Sequence, residues 1–450
     1  MHDLLVCGAP ASKESKSYCL FMAASSALRV LVAGGGVAGL EALLALRDLA
    51  GDRVELTLLS PDPDFVYRAM ATGEPFGRGH AGRHSLADIA SELGAQLACG
   101  TLAEVESESR TAITSAEDRL SYDALLITVG AGSESAFQGA MTWTPELDPE
   151  LFGGLLRDLE EGYVKRVAFV VPPGVAWPLP AYELAMMTAW QAWGMGQEDV
   201  EVTIYTPEDA PLGLFGTRAT VALRQDLEEA GVQAETGVYV AEDPEARGRF
   251  VLHPGERKLD AERVVALPRA TGPGLPGLPS DGRGFVLTDL HGKVPDVDGV
   301  WAAGDAIAFP VKQGGLAAQQ ADAAAEAIAA AAGADLVPRP FRPILRGIML
   351  TGRGKEWMRH EMSGGMGEGE AVRRALWWPP TKIAGRYLSP YLAALDGAEA
   401  ADDAAKPDGQ PVELDLERDL PAAADALRQA SLRGDAERAR LTQLRADARR

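Results

Sequence analysis

The stretch Arg29-Val30-Leu31-Val32-Ala33-Gly34-Gly35-Gly36-Val37-Ala38-Gly39-Leu40-Glu41-Ala42 decides the fold of this chain. Its apolar residues predict a buried parallel strand, and the Ala/Leu run after the glycines predicts a helix. Gly34, Gly36 and Gly39 fit G-x-G-x-x-G, which gives a tight turn, room for a pyrophosphate and close packing of helix on strand. The alternative is a Gly-rich strand–helix turn without a ligand, because this motif alone is weak.

The composition restricts the partners of this 450-residue chain. The length exceeds one hydrophobic core, which predicts two or three domains. With 43 basic and 65 acidic residues the formal charge is −22, so we do not expect a nucleic acid as partner. No apolar run reaches the roughly 18 residues of a membrane span, so we predict no transmembrane helix.

The three cysteines, Cys7, Cys19 and Cys99, predict a reducing, cytoplasmic location without structural disulfides. Their spacing matches no metal site, and we expect no metal. Residues 1–27 do not resemble a signal peptide and are interpreted as a disordered extension, with the folded protein beginning near Met22.

The second strand ends without the acidic residue that commonly holds the adenosine ribose. This strand is Val54–Leu59, and the position after it is Ser60. The aromatic, Gly-rich stretch 65–77 is either an ordinary loop or a segment against a flat cofactor, with Arg68 near phosphate. Leu102 lies in a further short strand, at a place suited to packing on adenosine.

Two further strands end in small residues. The strand in 120–131 runs into Thr128-Val129-Gly130, where a small residue lets the backbone approach a ligand. The strand in 299–306 ends in Gly304-Asp305, and after a short loop Lys312-Gln313-Gly314 opens an Ala-rich helix. The N–H groups at the start of that helix can face an electron-rich group.

A second βαβ-like unit spans about residues 133–284. Its first strand, 164–171, is followed by Pro172-Pro173-Gly174 at the place of a phosphate loop. Proline has no N–H to donate, Trp177 fills the space of a pyrophosphate, and Glu183 adds negative charge near the helix start. The sequence therefore favours a nucleotide-domain fold that no longer holds NAD(P)H in the usual pose, although other backbone amides remain an alternative.

The C-terminal part divides in two. Residues 341–395 form a smaller element, in which 375–395 interleaves aromatic and basic residues, including Lys382, Arg386, Tyr387 and Tyr391. That pattern suits a peripheral membrane or protein contact, but we favour simple packing onto the body or onto a dimer mate. Residues 396–450 are acidic and Ala-rich and are interpreted as a mostly disordered tail.

The order of these parts resembles the two-dinucleotide-binding-domain flavoproteins, the pyridine nucleotide-disulfide oxidoreductase superfamily. Within the branch that includes sulfide:quinone oxidoreductases and type II NADH dehydrogenases, Pro-Pro-Gly followed by Pro-x-Tyr-Glu-Leu looks most like the sulfide:quinone oxidoreductases, whose second domain does not use NADH. The resemblance implies an α/β fold of two Rossmann-like domains, the second inserted in the first. The FAD-binding domain would comprise 28–132 and 285–340, and a degenerate NAD(P)-binding-like domain would comprise 133–284.

The resemblance also implies FAD as cofactor and assigns its contacts. The pyrophosphate would lie at Gly34, Gly36, Val37, Ala38 and Gly39, and the adenosine ribose near Ser60. Asp305 would bond the ribityl chain, and Lys312, Gln313 and Gly314 would approach the isoalloxazine. Redox cysteines of that branch are absent after Cys99, so a sulfide substrate and disulfide reduction are not expected.

The leading hypothesis is an FAD-dependent oxidoreductase with an unidentified small-molecule donor and a quinone-like or protein acceptor. One alternative is an NAD(P)H:quinone-type dehydrogenase, and another is a protein-binding partner, with or without flavin, that has no catalysis. We assign no catalytic residue, because His80, His84 and His360 fit surface positions better than catalytic ones. The location is expected to be cytoplasmic or peripheral to the inner membrane face, and a homodimer stays open.

Overall fold

The structure is a computed structural model that describes residues 27–147, 149–362 and 367–395. The predicted N-terminal extension and acidic tail lie outside these residues, as do Cys7 and Cys19. The α-helices of the described chain are α1 Val37–Ala50, α2 Leu86–Glu92, α3 Pro149–Glu160, α4 Leu179–Gly194, α5 Thr217–Ala230, α6 Gly314–Ala331 and α7 Leu388–Leu395. Short 3-10 helices span Gly51–Arg53, Arg68–Phe76, Gly213–Phe215 and Gly304–Ala306.

The strands alternate with these helices along most of the chain. In the first half they are β1 Leu28–Ala33, β2 Val54–Ser60, β3 Asp64–Tyr67, β4 Gly82–Ser85, β5 Gln96–Cys99, β6 Leu102–Glu106, β7 Thr111–Thr114, β8 Arg119–Ser121, β9 Ala124–Ile127, β10 Gly132–Glu134, β11 Met141–Thr142 and β12 Arg166–Val170. In the second half they are β13 Glu201–Thr206, β14 Val232–Thr236, β15 Tyr239–Glu242, β16 Phe250–His253, β17 Arg257–Lys258, β18 Arg263–Ala266, β19 Arg269–Thr271, β20 Val300–Ala302, β21 Ile344–Leu350, β22 Lys355–Glu361 and β23 Glu370–Val372.

The first sheet is parallel, in the order β20-β9-β1-β2-β5. Strand β20 joins it from far along the chain, so the second unit is inserted between β9 and β20. Helices α1 and α6 pack closely on one face, where small side chains such as Ala42 and Ala321 are fully buried. The sheet is buried on both faces, as the continuous apolar strands predict.

The second sheet is also parallel, in the order β11-β18-β12-β13-β14. A third, antiparallel sheet, β21-β22-β23, buries Leu345, Met349 and Met358 in the same core as the second unit. Its close approach needs a glycine, because a Cβ on Gly347 would lie 2.6 Å from the Phe215 ring. The predicted α/β class with two Rossmann-like units is confirmed, and the exact domain limits stay predictions.

Two local features of the described chain depend on residues close in sequence. Helix α5 ends at Gly231, which has a φ of 67°. The stretch 96–105 forms two strands in different sheets, because β5 pairs with β2 and β6 pairs with β7. Cys99 is the last residue of β5 and is exposed. None of the helices in the described chain is long and apolar enough to cross a membrane.

Candidate functional site

A cavity of about 510 Å³ lies at the carboxyl ends of the first sheet's strands. This is where open α/β sheets bind ligands. Its walls come from the glycine bend, the start of α6, the start of α4, the third sheet and the C-terminal segment. Of the predicted cofactor contacts it is lined by Gly34, Gly36, Val37, Ala38, Ser60, Arg68, Leu102, Val129, Gly130, Gly304, Asp305, Lys312, Gln313 and Gly314.

The glycine bend between β1 and α1 has two different kinds of glycine. A Cβ on Gly39 would lie 1.9 Å from the Gly34 oxygen, so Gly39 serves helix–strand packing and does not line the cavity. A Cβ on Gly36 would meet nothing within 4 Å, so Gly36 leaves open space at the helix start. Helix α1 has no side-chain cap, which leaves its first N–H groups for a ligand. This cradle fits a pyrophosphate.

A residue at the end of the neighbouring strand β9 supports the bend. Thr128 donates its hydroxyl to the Ala33 and Gly34 oxygens, at 3.0 Å each. Gly34 itself has a φ of 122°, and a Cβ there would lie 2.3 Å from the Thr128 oxygen. The bend therefore depends on a glycine at Gly34, because both the backbone angle and the contact exclude a side chain.

The acidic residue missing after β2 lies two positions later than expected. The Ser60 hydroxyl bonds the Asp62 backbone, and both residues line the cavity. The sequence predicted the adenosine ribose near Ser60, and Asp62 was not among the predicted contacts. The signal was available, since Ser60-Pro61-Asp62 is a turn sequence that carries an acid at the strand end.

Asp305 and Lys312 face the cavity from the return to the first sheet. Burial raises the pKa of the Asp305 carboxyl, although Lys312 opposes that rise. Burial lowers the pKa of the Lys312 ammonium to about 8, and Asp305 and Asp281 oppose that fall. Lys312 donates to the Ile307 carbonyl and lies 3.9 Å from the centre of the Phe285 ring. The acid and the base therefore stand on one wall, where burial favours the neutral form of each and their mutual attraction opposes that effect.

The start of α6 is held in place by its own cap. Gln313 accepts the Leu316 N–H at 2.9 Å and donates to the Arg346 carbonyl at 3.1 Å. Gln320 accepts the Gly304 N–H at 2.9 Å, which ties the Gly-Asp turn to this helix. The predicted Gly-opened helix is confirmed as α6, and its positive end faces the cavity.

Arg68 reaches the cavity already paired. Its Nε lies 3.0 Å from a carboxylate oxygen of Glu146, which also lines the cavity. Glu146 and Trp143 were not among the predicted site residues, because the stretch that carries them has no motif.

The turn of the second unit contributes a wall instead of a phosphate loop. Trp177, Leu179 and Pro180 line the cavity, and Trp177 packs edge-on against Phe215 with ring centres 5.8 Å apart. The acid after β13, Glu208, is occupied internally, because it accepts the Tyr182 hydroxyl at 2.7 Å and the Thr206 hydroxyl at 2.9 Å. Neither the turn nor this acid fits a dinucleotide in the usual pose.

Glu183 does not open its helix with a free negative charge, as the sequence suggested. It is fully buried in the second turn of α4 and accepts from Lys382 at 2.7 Å. Thr72 and Leu350 also donate to its carboxylate, at 2.8 Å each. The negative charge is therefore matched by a buried cation from the other end of the chain.

The C-terminal aromatic and basic residues pack onto the body. Lys382 is buried in the cavity wall beside Ile383. The Tyr387 hydroxyl donates to Asp48 at 3.3 Å, and the Tyr391 hydroxyl donates to Glu92 at 2.6 Å. These contacts agree with packing onto the body, which is part of the interpretation that we favoured.

The three histidines considered above lie apart from this cavity. His84 stacks on Phe65, with ring centres 6.2 Å apart. The favoured surface position is wrong for His360, which is buried in β22 because this strand packs one face into the core. His80, His84 and His360 do not line the cavity.

Comparisons with known proteins agree with this architecture. A family model described as Pyridine nucleotide-disulphide oxidoreductase matches residues 181–331. The sulfide:quinone oxidoreductase of the hyperthermophilic bacterium Aquifex aeolicus is 19% identical, with a TM-score of 0.70 over 83% of this chain and 90% of that chain. The family match over residues 181–331 and the shared fold agree with the resemblance to this superfamily.

Two more distant structures share the fold. A ferredoxin reductase from Rhodopseudomonas palustris is 16% identical, with a TM-score of 0.55 over 75% of this chain and 83% of that chain. A chain in the mitochondrial ATP synthase of Tetrahymena thermophila is 11% identical, with a TM-score of 0.57 over 80% of this chain and 90% of that chain.

Proposed function

We propose that this protein is an FAD-dependent oxidoreductase that passes electrons from a small-molecule donor to a quinone-like or protein acceptor without cysteine redox chemistry. The observation that carries the proposal is the convergence of Gly36, Asp305 and the start of α6 on one cavity. These parts lie far apart in the sequence, and a common ligand explains why all three open onto the same space.

The residues present fit FAD along the length of the cavity. In the proposal, the first N–H groups of α1 at Gly36 and Val37 hold the pyrophosphate. Ser60, Asp62 and Leu102 bound the adenosine end. When bound, FAD would take up electrons from the donor and release them to the acceptor, while the protein supplies position and electrostatics.

The other end of the cavity would surround the isoalloxazine. Asp305 offers acceptors to the ribityl hydroxyls, and no group of the described chain donates a hydrogen bond to its carboxylate. Lys312 holds a proton on Nζ at neutral pH, since its pKa is about 8. Together with the positive end of α6, this charge favours an electron-rich ring at Gln313 and Gly314.

NAD(P)H is the disfavoured donor in this proposal. Pro172 and Pro173 offer no N–H groups, and the Glu208 carboxylate is bonded by Tyr182 and Thr206. We therefore expect NADH and NADPH to reduce the bound chromophore slowly under anaerobic conditions. Rapid bleaching by either would favour the alternative, an NAD(P)H:quinone-type dehydrogenase.

Cysteine chemistry has no place in the proposal. Cys99 is the free cysteine of the described residues, and it lies at the adenosine end, opposite Ser60 in the β2–β5 pairing. A Cys99→Ser variant should keep its chromophore and its reactivity toward an artificial electron donor. A large loss of reactivity with the chromophore retained would bring thiol chemistry back.

The acceptor side is supported by the apolar part of the cavity. Trp143, Trp177, Ile348 and Ile383 line it, which suits a flat apolar molecule. The names of the related structures fit both kinds of acceptor, a quinone for the Aquifex protein and a ferredoxin for the Rhodopseudomonas protein. We propose a cytoplasmic protein with a peripheral contact to the inner membrane face.

The decisive experiment is an absorbance spectrum of the purified protein, followed by identification of the released chromophore. We expect FAD. The matched variants are Gly36→Val, whose side chain enters the cavity, and Gly282→Val, where a Cβ also meets nothing within 4 Å but no cavity is involved. We expect the FAD content of Gly36→Val to be at least about tenfold lower than that of the parent, because the pyrophosphate loses its space. Gly282→Val should keep the FAD content of the parent.

The second candidate is a binding partner without catalysis. The similarity to the Tetrahymena chain supports this candidate, because that chain is found within a large assembly, an F1Fo ATP synthase tetramer. Colourless protein that stays colourless after incubation with FAD, and that purifies with a second protein, would favour this candidate over the enzyme.

A further inference from the structure

Two arginines face each other directly across strands of the third sheet. Arg346 on β21 pairs in register with Arg359 on β22. Side chains of directly paired residues point to the same face, with Cβ atoms about 5 Å apart. Like charges in such positions destabilise a sheet, so the pair is costly unless an anion lies between the two guanidinium groups.

No acid of the described chain forms a hydrogen bond or an ion pair with the Arg346 side chain, although the charge of Glu361 partly opposes the fall of its pKa. Its guanidinium is half-buried and bonds no acceptor in the part of the chain that the structure describes. The acids of this face are Glu361, which lies 2.8 Å from Arg359, and Glu370, which stands opposite Arg359 on β23. Burial, followed by the charge of Arg359, lowers the pKa of Arg346.

The position of Arg346 gives a ligand a way in. Its strand neighbours Gly347 and Ile348 line the main cavity, and its carbonyl accepts the Gln313 side chain at the start of α6. Strand β21 is the edge of its sheet, so Arg346 has a neighbouring strand on one side alone. Arg346 does not itself line the cavity, but it is half-buried next to the cavity wall, so its guanidinium remains open to a ligand.

We propose that Arg346 and Arg359 form a binding site for an oxyanion group, a phosphate or a phosphate ester. Planar guanidinium groups present paired N–H donors that match phosphate oxygens, and charge-assisted hydrogen bonds of this kind are the strong ones. The site does not require FAD and stands whether or not the proposed function does. The source of the phosphate group is a small ester or the headgroup of an anionic lipid.

The test compares the thermal stability and phosphate affinity of the full chain with those of Arg346→Gln. Inorganic phosphate should raise the Tm of the parent protein and not that of Arg346→Gln, whose affinity should fall about tenfold or more. Without phosphate, Arg346→Gln should be at least as stable as the parent, because a like-charge contact is gone. Arg53→Gln, an exposed arginine outside this sheet, should behave like the parent.

Two further variants keep the test sharp. Arg346→Lys retains the charge without the planar guanidinium and should bind phosphate with intermediate affinity. If Arg346→Gln fails to fold, Arg359→Gln takes its place in the comparison. Gly36→Val should keep the phosphate response, which separates this site from the glycine bend. The proposal is overturned if phosphate does not stabilise the parent, or if Arg346→Gln responds like the parent.

A vesicle experiment then identifies the source. Sedimentation with phosphatidylglycerol vesicles, but not with phosphatidylcholine vesicles, that is lost in Arg346→Gln would support a lipid headgroup at this site. A response to glycerol phosphate without vesicle binding would support a small phosphate ester at the same site. Vesicle binding that survives Arg346→Gln, together with an unchanged phosphate affinity, would contradict the proposal.

Discussion

The ammonium group of Lys382 lies 2.7 Å from both carboxylate oxygens of Glu183, and both side chains are buried. Thr72 and Leu350 donate to the same carboxylate. The pair therefore joins α4 to the 3-10 helix Arg68–Phe76, to β21 and to the C-terminal segment, and it forms part of the cavity wall.

Removing one partner of this ion pair should destabilise the protein strongly. Lys382→Met leaves the Glu183 carboxylate buried without its counter-charge, which typically costs about 3–5 kcal/mol. The double variant Glu183→Gln/Lys382→Met should lose less free energy of unfolding than Lys382→Met alone, because no unpaired buried charge remains. Urea unfolding of the three proteins measures the difference. A double variant that is less stable than Lys382→Met would contradict this account.

Lys312 should make stability depend on pH in the alkaline range. The unfolded chain keeps this proton up to about pH 10.5, whereas the folded chain releases it at about pH 8. The free energy of unfolding contributed by this group therefore rises with pH between those values. The stability of the parent relative to Lys312→Met should increase from about pH 8 to pH 10 in urea titrations.

The control for Lys312 is Lys258→Met, because Lys258 is exposed. It should show no such trend relative to the parent. If both variants follow the parent at every pH, Lys312 does not titrate in the folded protein as proposed.

A pair of buried carboxyl groups, Glu41 and Asp322, should make the stability of the protein fall as pH rises, the opposite of the effect of Lys312. Glu41 on α1 accepts the N–H groups of Tyr387 and Leu388 at 2.8 Å each. Asp322 on α6 is buried next to it, and burial followed by the charge of Glu41 raises the pKa of Asp322 to about 8. Because the unfolded chain releases this proton near pH 3.8, stability falls as pH rises from there to about 8.

Asp322→Asn should remove this loss of stability with rising pH, because the amide does not titrate. The Tm of Asp322→Asn minus the Tm of the parent should therefore be clearly larger at about pH 9 than at about pH 5. Hydrogen exchange of residues 385–395 should show the same trend, since Glu41 holds the start of α7. Equal Tm differences at both pH values would show that Asp322 does not hold a proton near neutrality.

The two glycines of the bend should separate stability from ligand binding. Gly39→Ala places a Cβ 1.9 Å from a backbone oxygen, so it should cost about 1–3 kcal/mol, as overpacking does. Gly36→Ala has open space and a φ of −86°, so its stability without ligand should be nearly unchanged. Its FAD content should fall. Thermal unfolding and the ratio of flavin to protein absorbance measure these effects.

Local patterns predicted much of the fold and of the first half of the site. The apolar run before Gly34, the glycine spacing and the Gly-opened helix after Lys312 each depend on residues close in sequence. Their convergence on one cavity followed from the order of the parts, because carboxyl ends of parallel strands meet at one edge of the sheet. The structure agrees with that arrangement for all the predicted contacts except Gly39.

The cavity wall from the second unit and the C-terminal segment was not predictable in this way. Glu183 and Lys382 are 199 positions apart, and no local pattern links them. A weak signal existed, since Glu183 is a lone charge in the apolar run of α4 and such a charge needs a buried partner. Lys382 gave the opposite signal, because basic residues between aromatics usually stay at the surface.

The wall formed by Lys382 and Ile383 has a consequence for biosynthesis. Gly36 leaves the ribosome early, whereas these two residues emerge more than three hundred positions later. A nascent chain cannot close this chamber until residues 382 and 383 have been made. If FAD binds as proposed, its enclosure by this wall would follow the synthesis of these residues, and a product that terminates before them would carry an open cleft.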